Sequence, residues 1–304
     1  MTAGAATEEA SVSATDRRVG DSGPRIGILV IHNDPVPETE LWTMAPPGVS
    51  VHTARFECPR PVDTEYVGSP ARAFAADPEV ARGLDHLGRL GADSIALCFG
   101  SSSFFGGPAF DAEFVAEAET HSHGTPVHTA AVAITAALRA SGVRRPLVMM
   151  PPWFTPPTFE ATERYLTAVG VERVRIAQFD LGAEWAGVAK YNAFDEGARW
   201  VVDAEEVRRQ TLAAVEAVAE EMLEGVSEGD SIDGILVPGS GFRAQGAVVP
   251  LERELGLPVI TANQAVLWYG LRLAAAGGAD SALFGGSSEH GSLFGRGLAA
   301  ANGG

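Results

Sequence analysis

The chain has 304 residues, enough for one large domain or two modest ones, and its hydrophobic fraction of 46% excludes global disorder. Its 39 acidic against 22 basic residues give a formal charge of −17, which argues against nucleic acid and anionic membrane surfaces as partners. Two cysteines, Cys58 and Cys98, offer no disulfide framework and fit a cytoplasmic protein, and no apolar run reaches the length of about 20 residues that crosses a bilayer.

Residues 1–24 are rich in Ala, Thr, Ser and acid, and are expected to be a disordered tail rather than a signal peptide. Ile26–Ile31 is a continuous apolar run, as in a buried parallel strand. The turn residues from His32 to Pro37 predict a loop, and Glu38–Trp42 a short helix. Val49–Phe56 alternates as a second strand, Pro78–Leu90 reads as a helix, and Asp93–Cys98 as a strand running into a Gly/Ser loop at Phe99–Gly107. Phe110–Thr120 reads as a helix, Pro126-Val127 as a short strand and Thr129–Ala140 as a helix.

After Ser141-Gly142 the pattern restarts. Pro146–Met150 is a strand, Pro151–Pro157 a rigid loop, Phe159–Val169 a helix and Val174–Phe179 a strand. Ala204–Gly225 is a long amphipathic helix, with Val207, Leu212, Val215, Val218, Met222 and Leu223 on one face. Ile232–Val237 is a strand, Pro238–Arg243 a loop and Asn263–Ala275 the closing helix, with Gly-rich loop from Gly277 onward.

One unit occurs twice. Ile95–Phe104 runs from an apolar strand into Gly100-Ser101-Ser102, and Ile235–Phe242 does the same into Gly239-Ser240-Gly241. Each is followed by a G-x-P-V-x-T-A segment, at Gly124–Ala130 and Gly256–Ala262. The repeat predicts duplicated halves, and the strand–helix alternation an α/β fold: two pseudo-symmetric, flavodoxin-like three-layer halves with parallel sheets. The expected division is residues 25–142 plus 261–304 as one half and 143–260 as the other. Ligands in such sheets bind beyond the carboxyl ends of the strands, so the strand-end loops converge on a cleft between the halves. No metal-ligand spacing is present, the nearest being His121-Ser122-His123.

These loops resemble those of the aspartate/glutamate racemase superfamily, in its maleate isomerase and arylmalonate decarboxylase branch. Pro37-Glu38-Thr39-Glu40 resembles the M-E-T-E after the first strand of maleate isomerases, and Val51–Arg55 their second strand. Ile260–Trp268 is similar to their S-S-N-Q-A-x-x-W segment. Ser101–Gly107 resembles the S-x-S-F-x-x-G of the decarboxylases. The likeness covers roughly Arg25 to Leu298. It implies a cofactor-independent lyase or isomerase of a small carboxylic acid, and a homo-oligomer.

Members of the family carry a cysteine in each repeat loop, or in the decarboxylases only in the second. The resemblance sets those positions at Phe99 and Gly239, neither of which moves a proton. Cys98 is one residue early, which at a strand end turns its side chain to the opposite face, as a buried structural thiol. What remains is an oxyanion cradle for an enediolate: Gly100, Ser101 and Ser102 from one half, Ser240 from the other.

Gly239, Gly241, Asn263, Asp34 and Arg243 are the expected substrate contacts, Asn263 being equally suited to capping a helix and Arg243 to holding a second carboxylate. Phe99, Phe104, Trp153 and Phe154 are the expected apolar walls, and His32 and His128 are base candidates by residue type. Decarboxylation, which requires one proton delivery, is the leading expectation. The alternatives are an isomerase or racemase with a non-cysteine base, a binding protein that has lost its chemistry, and a serine-dependent hydrolase, for which no G-x-S-x-G elbow is present.

Overall fold

The computed structural model describes residues 23–61, 63–223, 231–279 and 288–296. The expected N-terminal tail and most of the Gly-rich stretch after Gly277 lie outside the described residues, as do the side chains of Met222 and Leu223.

The first sheet is built from β1 (Arg25–Ile31), β2 (Ser50–Phe56), β3 (Ser94–Leu97) and β4 (Val127–Thr129), all parallel, in the order β2-β1-β3-β4. The second is built from β5 (Pro146–Met150), β6 (Arg175–Gln178), β7 (Gly234–Val237) and β8 (Val259–Thr261), in the matching order β6-β5-β7-β8. The expected pair of α/β halves with parallel sheets is therefore what the chain forms. The register repeats as well: Thr129 pairs with Leu97 beside it, and Thr261 with Val237. β3, β5 and β7 are buried along their whole length, as the continuous apolar runs require.

Helices of the first half are α1 (Val36–Met44), α2 (Ala71–Ala75), α3 (Pro78–Arg89), α4 (Gly100–Ala118) and α5 (Ala130–Ser141). Those of the second are α6 (Pro156–Ala168), the short α7 (Lys190–Ala193) and α8 (Arg199–Val201), then α9 (Ala204–Leu223) and α10 (Gln245–Leu255), while α11 (Ala262–Ala276) follows β8 but crosses back to pack on the first half, against α5 and α1. The threonine of each G-x-P-V-x-T-A segment has the same task. Thr129 caps α5 by accepting from the Val132 amide, and Thr261 caps α11 in a capping box with Gln264.

Three apolar clusters hold the layers. Leu29, Phe74, Leu84, Leu97 and Phe114 fill the outer face of the first sheet under α2, α3 and α4. Leu147, Met149, Val207, Val237 and Val248 do so for the second, under α9 and α10. Between the sheets lies one shared core, with Ile28 and Val30 of β1, Ile134 of α5, Met150 of β5, Leu166 of α6 and the fully buried Trp268 of α11.

Besides the short helices α2, α7 and α8, which the sequence reading does not include, the structure departs from it in three places. The Gly/Ser run after β3 is the first turns of α4, which kinks at Gly107 (φ 70°) before Pro108. α1 begins at Val36, inside the predicted loop, because Pro37 suits a first helical turn. α10 was not expected, since Gly246 and Pro250 disguise it.

Candidate active site

The carboxyl ends of β1, β3, β5 and β7 face one cavity of about 850 Å³, its open mouth included. β1 and β3 flank the point where the strand order reverses, the usual place for a ligand in such a sheet.

The first half contributes most of the titratable wall. Asp34 follows β1; Cys58 and Arg60 follow β2, with Glu65 and Tyr66 close behind; Cys98, Phe99, Gly100 and Ser101 follow β3. Phe99 is the residue before α4, so the Gly100 and Ser101 amides open the helix without intrahelical acceptors, at its positive end. Phe99 packs edge-on against Tyr66, ring centres 4.9 Å apart. The second half contributes Trp153 and Phe154 after β5 and the turn Pro238–Gly241 after β7, with Tyr191, Phe194 and Asp195 from the connection after β6. Trp153 meets Phe194 edge-on at 5.0 Å.

Polar bonds join the two walls. Arg60 donates to the Tyr191 carbonyl at 3.0 Å and pairs with Asp195 at 2.5 Å, while Asn33 donates to the other Asp195 oxygen at 2.7 Å. Glu40 of α1 is buried and accepts from the Ala244 and Gln245 amides at 3.0 Å and from Asn263 at 2.7 Å. Burial raises its carboxyl above the ordinary range, against these donors. Asn263 also donates to the Ser240 carbonyl at 2.9 Å, so the β7 turn is pinned from the first half. The Ser240 hydroxyl oxygen is buried with no hydrogen-bond partner among the described residues.

Burial dominates the electrostatics. Asp34 is 3% exposed and its carboxyl is pushed up to about 7, mainly by desolvation, against the Val36 amide and the Arg199 and Arg55 charges. Cys58 is pushed up to about 11 and Tyr66 to about 12, again mainly by burial. The Cys98 thiol is raised further by burial and by neighbouring Asp34, so neither cysteine supplies a thiolate near neutral pH.

Asp34, Phe99, Gly100, Ser101, Trp153, Gly239, Ser240 and Gly241 thus share one cavity, with Phe154. Other expected residues lie elsewhere. Ser102 is buried, and both its amide and its hydroxyl donate to the Phe99 carbonyl, at 3.2 and 2.7 Å, so it tightens the helix start. Asn263 neither caps α11, where Thr261 does so, nor lines the cavity; it holds Glu40 and the Ser240 carbonyl. Arg243 is exposed and outside the lining. Phe104 turns into the core against Tyr165. His32 pairs with Glu57 at the surface, and His128 is buried beside Tyr269, held down to about 4 by burial. Cys98 belongs to the shared core, as expected of a structural thiol, yet it also reaches the cavity wall.

Sequence reasoning passed over Cys58, Arg60, Glu65, Tyr66, Tyr191, Phe194 and Asp195. The signal available for them was general: the strand-end rule applies to β2 and β6 as much as to the central strands.

Comparisons with known proteins agree with this fold. The arylmalonate decarboxylase family model matches residues 77–190. The arylmalonate decarboxylase of Bordetella bronchiseptica is 28% identical over 199 residues, 64% of this chain and 71% of that protein. The structure of an unliganded arylmalonate decarboxylase superposes with a TM-score of 0.65 at 25% identity, covering 89% of this chain and 98% of that one. A maleate isomerase of Pseudomonas putida S16 shares the fold, with a TM-score of 0.64 at 17% identity over 90% of this chain and 98% of its own. Matching strand order and these relatives agree on one likeness: the chain is similar, in sequence and in fold, to the arylmalonate decarboxylase branch of the aspartate/glutamate racemase superfamily, and it shares its fold with the maleate isomerases.

Proposed function

We propose that the protein is a cofactor-independent decarboxylase of a small malonate carrying an apolar substituent, and that it works through an enediolate held between the two repeat loops. The observation that carries this reading is the meeting, in one aromatic-walled cavity, of the amides opening α4, which have no intrahelical acceptor, and the Ser240 hydroxyl, which has no partner among the described residues. A buried hydroxyl without a partner costs about 1–3 kcal/mol, and a carboxylate oxygen seated there recovers it. Amide donors at a helix start favour the same charge. The rings of Phe99, Trp153, Phe154 and Phe194 suit an aryl or alkyl group and disfavour a second, departing carboxylate.

Among the alternatives, thiol-based isomerisation is disfavoured by the two family cysteine positions. Phe99 is packed among aromatic rings, and a Cβ at Gly239 would collide with the Pro151 ring. A serine hydrolase is disfavoured because no histidine stands among the described lining residues.

The test is incubation of the protein in D₂O with phenylmalonate, methylphenylmalonate, maleate and 2-amino acids, followed by proton NMR. The expected result is a monocarboxylate carrying one new deuterium from the malonates alone. Conversion of maleate to fumarate would move the reading to an isomerase, and binding without turnover across the panel would reduce the protein to a ligand-binding relative.

A further inference from the structure

Decarboxylation leaves a carbanion that must receive a proton, and the thiols of this cavity are poorly suited to return one quickly near neutral pH. Cys58 and Cys98 are both pushed far above neutrality, as is Tyr66. Arg60 and Asp195 are committed to each other. Asp34 stands differently. It lies at the end of β1, 3% exposed, on the cavity wall. Its Oδ1 accepts from the Val36 amide at 2.9 Å, which fixes the plane of the carboxyl. Its Oδ2 is turned toward the opposite half: a Cβ added to Gly241 would come within 2.8 Å of it. Gly241 follows Ser240 directly, so this carboxyl oxygen faces the turn that holds the unpartnered hydroxyl.

The geometry points to Asp34 as the catalytic acid of this site, delivering a proton to the α-carbon of the enediolate from its place between the β1 terminus and Gly241. The assignment rests on the functional reading above. One carboxylate of a disubstituted malonate sits in the cradle. The bond from the α-carbon to the other carboxylate breaks, CO₂ leaves, and the electron pair spreads into the held carboxylate as an enediolate. The Asp34 O–H bond then breaks and its proton bonds to the α-carbon, giving a monocarboxylate and the Asp34 carboxylate, which regains a proton from water.

The charged and titratable groups around Asp34 keep it available in both forms. Arg55 donates to the Asp34 backbone carbonyl at 3.0 Å but is paired with Glu38. Arg199 is held on the Phe194 and Asp195 carbonyls. Glu40 is saturated by three donors, and Cys98 stays protonated. Burial outweighs the two guanidiniums and sets the carboxyl at about 7, where an acid is both protonated and willing to give its proton. A single acid on one wall protonates one face, so a prochiral malonate yields one enantiomer.

The experiment compares wild type, Asp34→Asn and Gly241→Ala on phenylmalonate and methylphenylmalonate, by kcat and KM from pH 5 to 9, with deuterium uptake and product chirality as further readouts and circular dichroism as the folding control. Asp34→Asn is expected to lower kcat by about 100-fold or more with KM little changed. Wild-type kcat is expected to fall as pH rises through about 7, since the protonated acid is the working form, and the fall is expected to vanish in the variant. Gly241→Ala keeps the carboxyl but crowds Oδ2, and is expected to lower kcat even if Asp34→Asn fails to fold. Wild-type rate and pH dependence in a folded Asp34→Asn would overturn the assignment and leave the functional reading standing. Silence of the wild type on both malonates would overturn the reading, and the assignment with it.

Discussion

The two halves repeat one strand order and one loop plan, yet they line the shared cavity with different chemistry. After the first strand, one half places a buried carboxyl, Asp34, and the other places Trp153 and Phe154. After the third, one half opens a helix at Phe99-Gly100-Ser101, and the other makes the tight turn Pro238–Gly241. A duplicated frame has come to hold an asymmetric site. Backbone order is set by large apolar surfaces that tolerate many sequences, whereas the cavity depends on a few side chains at strand ends, which diverge without disturbing the core. An asymmetric wall suits a reaction that delivers a single proton.

Three measurements break or sharpen this contrast. The largest effect is expected from Asp34. Its carboxyl is raised in the folded state from 3.8 to about 7, so its contribution to stability is complete below about pH 4 and is lost as pH rises to about 7. The slope is worth up to about 4 kcal/mol, at about 1.36 kcal/mol per pH unit. Urea unfolding of wild type and Asp34→Asn from pH 4 to 8 is expected to show the variant gaining over wild type across that window. A constant difference would mean that the first-half wall is less dehydrated than described.

Next comes Asp111 on α4, which joins the halves rather than dividing them. It accepts from Ser103 at 2.6 Å and Thr129 at 2.7 Å in the first half, and from Tyr165 of α6 at 2.6 Å in the second. Asp111→Ala strands three buried hydroxyls and is expected to cost about 3 kcal/mol in chemical unfolding. The smallest effect is expected at the rim. Asp195→Ala releases Arg60 and Asn33, but the Asp195 side chain is 46% exposed, so stability is expected to change by about 1 kcal/mol or less, with a rise in KM as the sign that the β6 connection helps close the cavity.

Much of the frame was legible in the sequence, because buried parallel strands announce themselves as apolar runs and the paired Thr-Ala segments mark two helix starts. The site was legible in part. Ser101, Ser240 and Phe99 were found from the repeat, and the cavity gathers them. Ser102 and Asn263 look from the sequence like free donors, but their hydrogen bonds are spent on the backbone and on Glu40. The start of α4 was hidden because Gly and Ser have weak helical preference, and tertiary packing overrides it. The apposition of Asp34 and Gly241 joins residues some two hundred positions apart, and no local pattern encodes it.

The shared core between the sheets bears on how the chain is made. α11 (Ala262–Ala276) packs against α5 and α1 and over β1 and β3, strands that are synthesised well before it. Until that helix has been synthesised, the inner face of the first sheet lacks a cover of ten buried residues, Trp268 among them. The amino-terminal half therefore waits on the carboxyl-terminal one, and its exposed apolar face is the surface a chaperone would have to shield in the interval.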